Sequence, residues 1–239
     1  TPFMSTIGKS KATAVNHEWQ IDSLAAAASD NHHLEGDEIS FDAQTATTRI
    51  GNKTQISRKA VIVSGTMESV DIAGRNNELA YLISKASKEL KRDMETTLTA
   101  NQAPNDSGAG AARKMASLES WIKTNSDKGG GAGADPGTSG TNARTDGNTR
   151  AFTEAQLKSM IRKVWTEGGD PSMVMVGAFN KQRLSGFTGG ATRMDDAENK
   201  RLVSAIDVYE SDFGALQVVA NRFSRARSAY VLSPDVWSA

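Results

Sequence analysis

One apolar stripe sets the length scale of this chain. Leu79, Ile83, Ala86, Leu90, Met94 and Leu98 recur at steps of four and three residues, the spacing that gathers side chains on one face of an α-helix. Lys85 with Glu89 and Lys91 with Glu95 set opposite charges four residues apart, which supports the same helix. Asp71 is the expected N-cap, and Pro104 stops the helix soon after Asn101. The spacing predicts a helix over 71–101, about 46 Å long at 1.5 Å per residue. That is well beyond the usual three turns and fits the spine of an extended molecule. If the stripe is buried, Leu90→Ala costs about 2–5 kcal/mol.

The 239 residues include no cysteine, which removes disulfide frameworks, thiolate metal sites and cysteine nucleophiles. No apolar run approaches the roughly 20 residues that cross a bilayer. The 28 basic and 28 acidic residues cancel, against a surface built as a whole to hold nucleic acid or anionic lipid.

Charge is balanced in total but not along the chain. Residues 1–48 carry Glu18, Asp22, Asp30, Glu35, Asp37, Glu38 and Asp42 against Lys9 and Lys11. Residues 49–66 carry Arg49, Lys53, Arg58 and Lys59 and no acid. Adjacent blocks of opposite sign suggest surfaces meant to meet a complement, although two solvated loops would show the same pattern. Residues 1–38 have little periodicity, and the small apolar run Leu24–Ala28 is short for a helix. Such a stretch suits an arm packed on something else. Residues 39–66 read as a β-hairpin, with β-branched residues on both sides of a Gly51-Asn52-Lys53 turn. Its outer half is polar on both faces, as in a projecting arm.

Residues 105–150 are glycine-rich, with the run Gly129-Gly130-Gly131 and an apolar island at Trp121-Ile122. Residues 127–148 read as a mobile linker. Residues 151–239 read as compact mixed structure. A helix from a Thr153 cap to Trp165 ends at Gly168-Gly169, and Met173–Val176 is a short buried strand. A second helix spans 180–187. A hairpin follows, with strands at 203–209 and 215–219 around Asp212-Phe213-Gly214, and a last strand covers Tyr230–Leu232.

Catalytic and cofactor signatures are missing. Gly8-Lys9-Ser10 resembles the end of a phosphate loop, but position 3 is Phe where that motif needs Gly. No Gly-x-Ser-x-Gly elbow occurs. His17, His32 and His33 sit in no His-Glu-x-x-His frame, and Asp195-Asp196 reads as a solvated turn rather than an acid/base pair. No catalytic residue, cofactor site or metal site is expected, and no enzyme activity. Trp19, Trp121, Trp165 and Trp237 do not alternate with basic residues, so each reads as an anchor rather than a stacking platform for single strands.

Several strings carry a family resemblance. They are Thr1-Pro2-Phe3-Met4-Ser5, His17-Glu18-Trp19-Gln20, Asp22-Ser23-Leu24, Glu35-Gly36-Asp37, Gly51-Asn52-Lys53-Thr54-Gln55-Ile56-Ser57, Val63-Ser64-Gly65-Thr66, Ala73-Gly74-Arg75, Glu78-Leu79-Ala80-Tyr81, Glu89-Leu90-Lys91-Arg92-Asp93-Met94-Glu95, Trp121-Ile122 and Thr124-Asn125. Over residues 1 to about 125 the chain resembles the major head (major capsid) proteins of tailed bacteriophages.

The resemblance implies an α+β subunit with the Hong Kong 97-like fold. Residues 1–38 would be the N-terminal arm, 39–68 the extended E-loop hairpin, and 69–104 the spine helix of a peripheral domain. Residues 105–220 would form an axial domain containing the glycine-rich loop 127–148. Residues 221–239 would return to the peripheral domain, which family members extend further. It also implies self-assembly as hexamers and pentamers into an icosahedral head around double-stranded DNA. Portal and scaffolding or decoration proteins would be partners. DNA would lie against the inner face without sequence-specific binding, and no membrane would be involved. Assembly would take place in the host bacterial cytoplasm and the product would be the virion. Arg49, Asn52, Lys53, Arg58, Lys59, Glu35, Asp37 and Glu38 are the candidate subunit contacts, with the acidic run facing the basic hairpin of a neighbour. An encapsulin-like container and, from a different class, a soluble hydrolase with an unrecognised site are the alternatives.

Overall fold

Strand β3, Met173–Val176, is buried at all four residues and feeds two cores. Alternation along a strand sends successive side chains to opposite faces. Met173 and Met175 therefore join Phe3, Ile7, Leu98, Leu118, Tyr230 and Leu232 on one side. Val174 and Val176 join Leu157, Ile161, Leu184, Tyr209, Leu216 and Val218 on the other. The structure is a computed structural model describing residues 1–39, 41, 43–70, 74, 77–106, 108, 110–187 and 206–239.

The sheet around β3 has the order β4-β5-β3-β6. Strand β5 (Gly214–Ala220) runs parallel to β3, whereas β6 (Ala229–Leu232) runs antiparallel along its other edge. Strand β4 (Val208–Ser211) closes the expected hairpin onto β5. A parallel pair needs a crossover, and helix α6 (Ala178–Ser185) lies in the one from β3 to β5. Lys181 fastens α6 to the sheet through the carbonyls of Ile206 and Val218. Helix α5 (Glu154–Thr166) starts at Thr153 with a reciprocal capping box to Gln156. Its Leu157 and Ile161 cover the valine side of β3. Gly168 ends it at φ +82, a conformation that glycine reaches without penalty.

Helix α3 spans Glu78–Leu98, 21 residues rather than 31. Asn77 caps it, accepting from the Ala80 amide at 2.7 Å; the expected cap Asp71 lies outside the described residues, as do Ser40, Asp42, Arg75 and Asp195-Asp196. The stripe is helical but not buried. Leu79 is 41% exposed and Ile83 52%, and Leu98 alone reaches the core. Among the other helices and strands, α1 (Pro2–Thr6) and α2 (Gly65–Ser69) lie against α3.

The expected hairpin at 39–66 is different in kind. Strand β2 (Thr48–Lys53) pairs with β1 (Asn16–Ile21), antiparallel, with Glu18 opposite Gly51 and His17 opposite Asn52. Gly51-Asn52 therefore lies inside a strand and makes no turn. A Cβ at Gly51 would stand 2.9 Å from the His17 carbonyl, so glycine serves a close approach there. Residues 22–47 connect the two strands.

The expected mobile linker is a folded loop. Asp135 accepts from Ser126 Oγ at 2.6 Å and pairs with Lys128 at 2.6 Å and Arg144 at 3.3 Å. Ala134 and Thr145 exchange backbone hydrogen bonds. Gly140 packs so closely on Trp121 that a Cβ would fall 2.4 Å from the indole. Its glycines allow backbone to meet backbone and ring, which composition alone reads as flexibility.

Leu157→Ala is expected to cost about 2–5 kcal/mol, the usual range for a fully buried leucine. Leu90→Ala should cost about 1 kcal/mol in the isolated chain, since Leu90 is only half-buried. Urea denaturation of the two variants checks the contrast; equal losses would mean that the α3 stripe is covered.

Candidate assembly surface

The N-terminal segment is anchored before it projects. Glu95, fully buried on α3, accepts from the Phe3 amide at 2.8 Å, the Met4 amide at 2.9 Å and Asn221 Nδ2 at 2.7 Å. Pro2 opens α1, leaving the next amides free to face the carboxylate. Phe3 and Ile7 then drop into the core. Gly8 exchanges backbone bonds with Trp237 and Ala239. Residues 1–10 are thus part of the body, and the expected Lys91–Glu95 pair gives way to the buried cluster.

The ribbon β1–β2 is clamped to the same body. Asn52 bonds Ala116 twice, donating to its carbonyl at 3.2 Å and accepting from its N–H at 2.8 Å, and its Oδ1 also accepts from the Lys53 amide at 2.9 Å. Gln55 accepts from the Met115 amide, and Trp19 lies 5.2 Å from Trp121 between ring centroids. Of the candidate contact residues, Lys53 pairs with Asp106 at 2.9 Å, Lys59 with Asp93 at 2.7 Å, and Arg49 with Glu18 at 3.5 Å. The hydrogen bond to Asp93 raises the Lys59 amine above its ordinary value. Arg58 is exposed. Glu35, Asp37 and Glu38 lie on the exposed 22–47 connection, where Asp37 closes a turn to Leu34 and also accepts from the Glu38 amide. Among the described residues Glu35, Asp37 and Glu38 pair with none of these bases.

This connection also exposes large apolar side chains. Leu34 is 82% accessible, Ile39 83% and Phe41 96%, and Ile62 beyond β2 reaches 93%. Three such side chains on one connection give it apolar area available to a partner.

A second buried carboxylate had no signal in the sequence. Glu119, on α4 (Leu118–Trp121), accepts from Tyr230 OH at 2.7 Å and Ser228 Oγ at 2.5 Å, and pairs with Arg225. Arg225 also holds Asp146, which Arg227 approaches at 3.2 Å. Burial pushes the Tyr230 hydroxyl far up, helped by the Glu119 charge. The Arg225 hydrogen bond, against some desolvation, holds the Asp146 carboxyl below its usual range. Every carboxylate here is tied to a fixed donor, so the arrangement braces the loops and leaves no poised acid or base. Among the described residues no group of three or more His, Asp and Glu could hold a metal, and no helix is long and apolar enough to cross a membrane.

Two measurements follow from these carboxylates. Glu95→Ala is expected to cost about 1.5–3 kcal/mol, the worth of hydrogen bonds to a charged group, and to speed proteolytic cutting at 8–15; denaturant titration with limited proteolysis reads both. The folded-state value of Asp146 lies below its unfolded one, so its contribution is full above the unfolded value near 3.8 and fades as pH falls through the folded value. Asp146→Asn should therefore flatten the loss of stability below about pH 4, seen as a smaller drop in melting temperature between pH 5 and 3.

A family model described as SU10 major capsid protein matches residues 1–239. A curated major capsid protein of Escherichia phage Phieco32 is 25% identical over 273 aligned residues, covering 100% of this chain and 78% of that protein.

Proposed function

Because this chain belongs to the SU10 major capsid protein family, a phage structural family, we propose that its copies close into an icosahedral head of hexamers and pentamers around double-stranded DNA. In this reading the fold is Hong Kong 97-like. Helix α3 serves as the spine, and the β1–β2 ribbon with its 22–47 connection serves as the E-loop. The sheet of β3–β6 with the loop 127–148 forms the axial part. The order of the elements and the length of α3 support this assignment. Portal, scaffolding or decoration proteins would join the shell in the host cytoplasm, and the balanced charge suits an inner wall that does not grip DNA.

The observation that carries the proposal is the exposure of Leu34, Ile39 and Phe41 on one connection. Closing a shell requires one surface to bind a different surface on the next copy, with a rotation that closes. Many modest contacts per subunit then add up, because each copy is held by several neighbours. An extended connection bearing Leu34, Ile39 and Phe41 provides area for such contacts at little cost to the monomer.

Purified wild-type chain should form rings or shells in negative-stain micrographs and sediment accordingly; a species that stays monomeric at every concentration would sink the proposal. Leu34→Ser combined with Phe41→Ser should leave monomer stability within about 0.5 kcal/mol and reduce particle yield. Unchanged yield would show that these side chains are not part of a contact.

A further inference from the structure

The acidic connection and one line of helix α3 carry opposite charge. Residues 22–47 contain no lysine or arginine. Asp22, Asp30, Glu35, Asp37 and Glu38 are all exposed, and none pairs with a base among the described residues. The hydrogen bonds of residues 22–46 among the described residues stay inside that segment, such as Asp22 with Ser23 and His33 with Asn31. Of the basic residues that follow in sequence, Arg49, Lys53 and Lys59 are engaged by Glu18, Asp106 and Asp93, and Arg58 is exposed.

Helix α3 presents the complement. Lys85, Lys88 and Arg92 step by three and four residues, which places them along one line of the helix. Lys91 lies beside them. All four are exposed. Lys85 meets Glu89 only at 4.0 Å, and Arg92 rests 5.5 Å above the Phe223 ring. Lys88 and Lys91 pair with no carboxylate among the described residues; Glu95, four residues after Lys91, is drawn inward by α1 and Asn221. The line lies on the far side of α3 from Leu79, Ile83 and Leu90, so it is a charged face of its own.

We propose that the acidic connection 22–47 of one copy docks on the Lys85–Lys88–Arg92 face of α3 in a second copy. The inference rests on the shell-subunit reading above and names the contact within it. It also replaces the expected pairing of the acidic run with the basic strand at 49–59. Screening in physiological salt acts over about 8 Å, so the match operates through direct pairs. Its strength comes from repetition at each subunit contact.

Two experiments test it. Particles assembled from equal amounts of isotopically heavy and light chain are treated with a carbodiimide, which joins carboxylates to lysines in direct contact. Heavy–light links from Glu35, Asp37 or Glu38 to Lys85, Lys88 or Lys91 are expected. Links confined to one isotope, or made only to other lysines, overturn the contact. In the second, Asp37→Lys with Glu38→Lys is compared with Lys85→Glu and Lys88→Glu, folding being checked by circular dichroism. Each pair should lower particle yield roughly ten-fold, and all four together should restore it. Failure of the combined chain to recover, with all variants folded, overturns the proposal. If the variants misfold, the wild-type cross-links still decide. Wild-type chains that remain monomeric overturn the shell reading and this contact with it; particles lacking the links overturn the contact alone.

Discussion

The Glu95 carboxylate is where distant parts of this chain are joined. A buried carboxylate is tolerated only when donors replace the water it has lost. Here the donors come from residues 3, 4 and 221, so the charge fixes the seat of α1, the end of α3 and the loop after β5 at one point. Thr99, one residue past the helix, adds a bond from its hydroxyl to the Phe223 carbonyl. The C-terminal turn of α3 is thereby tied to the loop after β5, while Leu79, Ile83 and Met94 of its apolar stripe stay exposed. An exposed helix of this kind has faces left over for other copies.

Glu119 repeats the device on the same side of the sheet. It draws Arg225, Ser228 and Tyr230 to α4, and Arg225 passes the tie on to Asp146. Between them the two carboxylates account for why loops with few apolar residues hold a defined shape. The hydrophobic clusters on either face of β3 supply the driving force, and the buried acids supply the register. What the chain does not stabilise internally is the 22–47 connection. Among the described residues its Leu34, Ile39, Phe41, Glu35, Asp37 and Glu38 are all exposed.

The local signals in the sequence were accurate where neighbours in sequence are also neighbours in space. The cap at Thr153, the buried strand Met173–Val176, the hairpin about Phe213 and the last strand at Tyr230 were all legible, because propensity, capping and alternation act over a few residues. The helical stripe from Leu79 to Leu98 was legible as helix for the same reason. The family was legible too, through strings such as Gly51-Asn52-Lys53 and Glu89-Leu90-Lys91-Arg92, which carry no chemistry by themselves.

Only the tertiary structure decided what those residues touch. Gly51-Asn52 has the composition of a turn, yet Gly51 admits the His17 carbonyl and Asn52 clamps Ala116, a partner 64 residues away. The glycines of 127–148 have the composition of a linker, yet they let the backbone close on Trp121 and on itself. Glu95 has the spacing of a surface ion pair with Lys91, yet it is fully buried. In each case the sequence specified a small or polar residue, and its meaning depended on which backbone came within 3 Å of it. Periodicity determines secondary structure and which face is apolar; close approach and the burial of a charge are set by the partner that long-range packing brings to them.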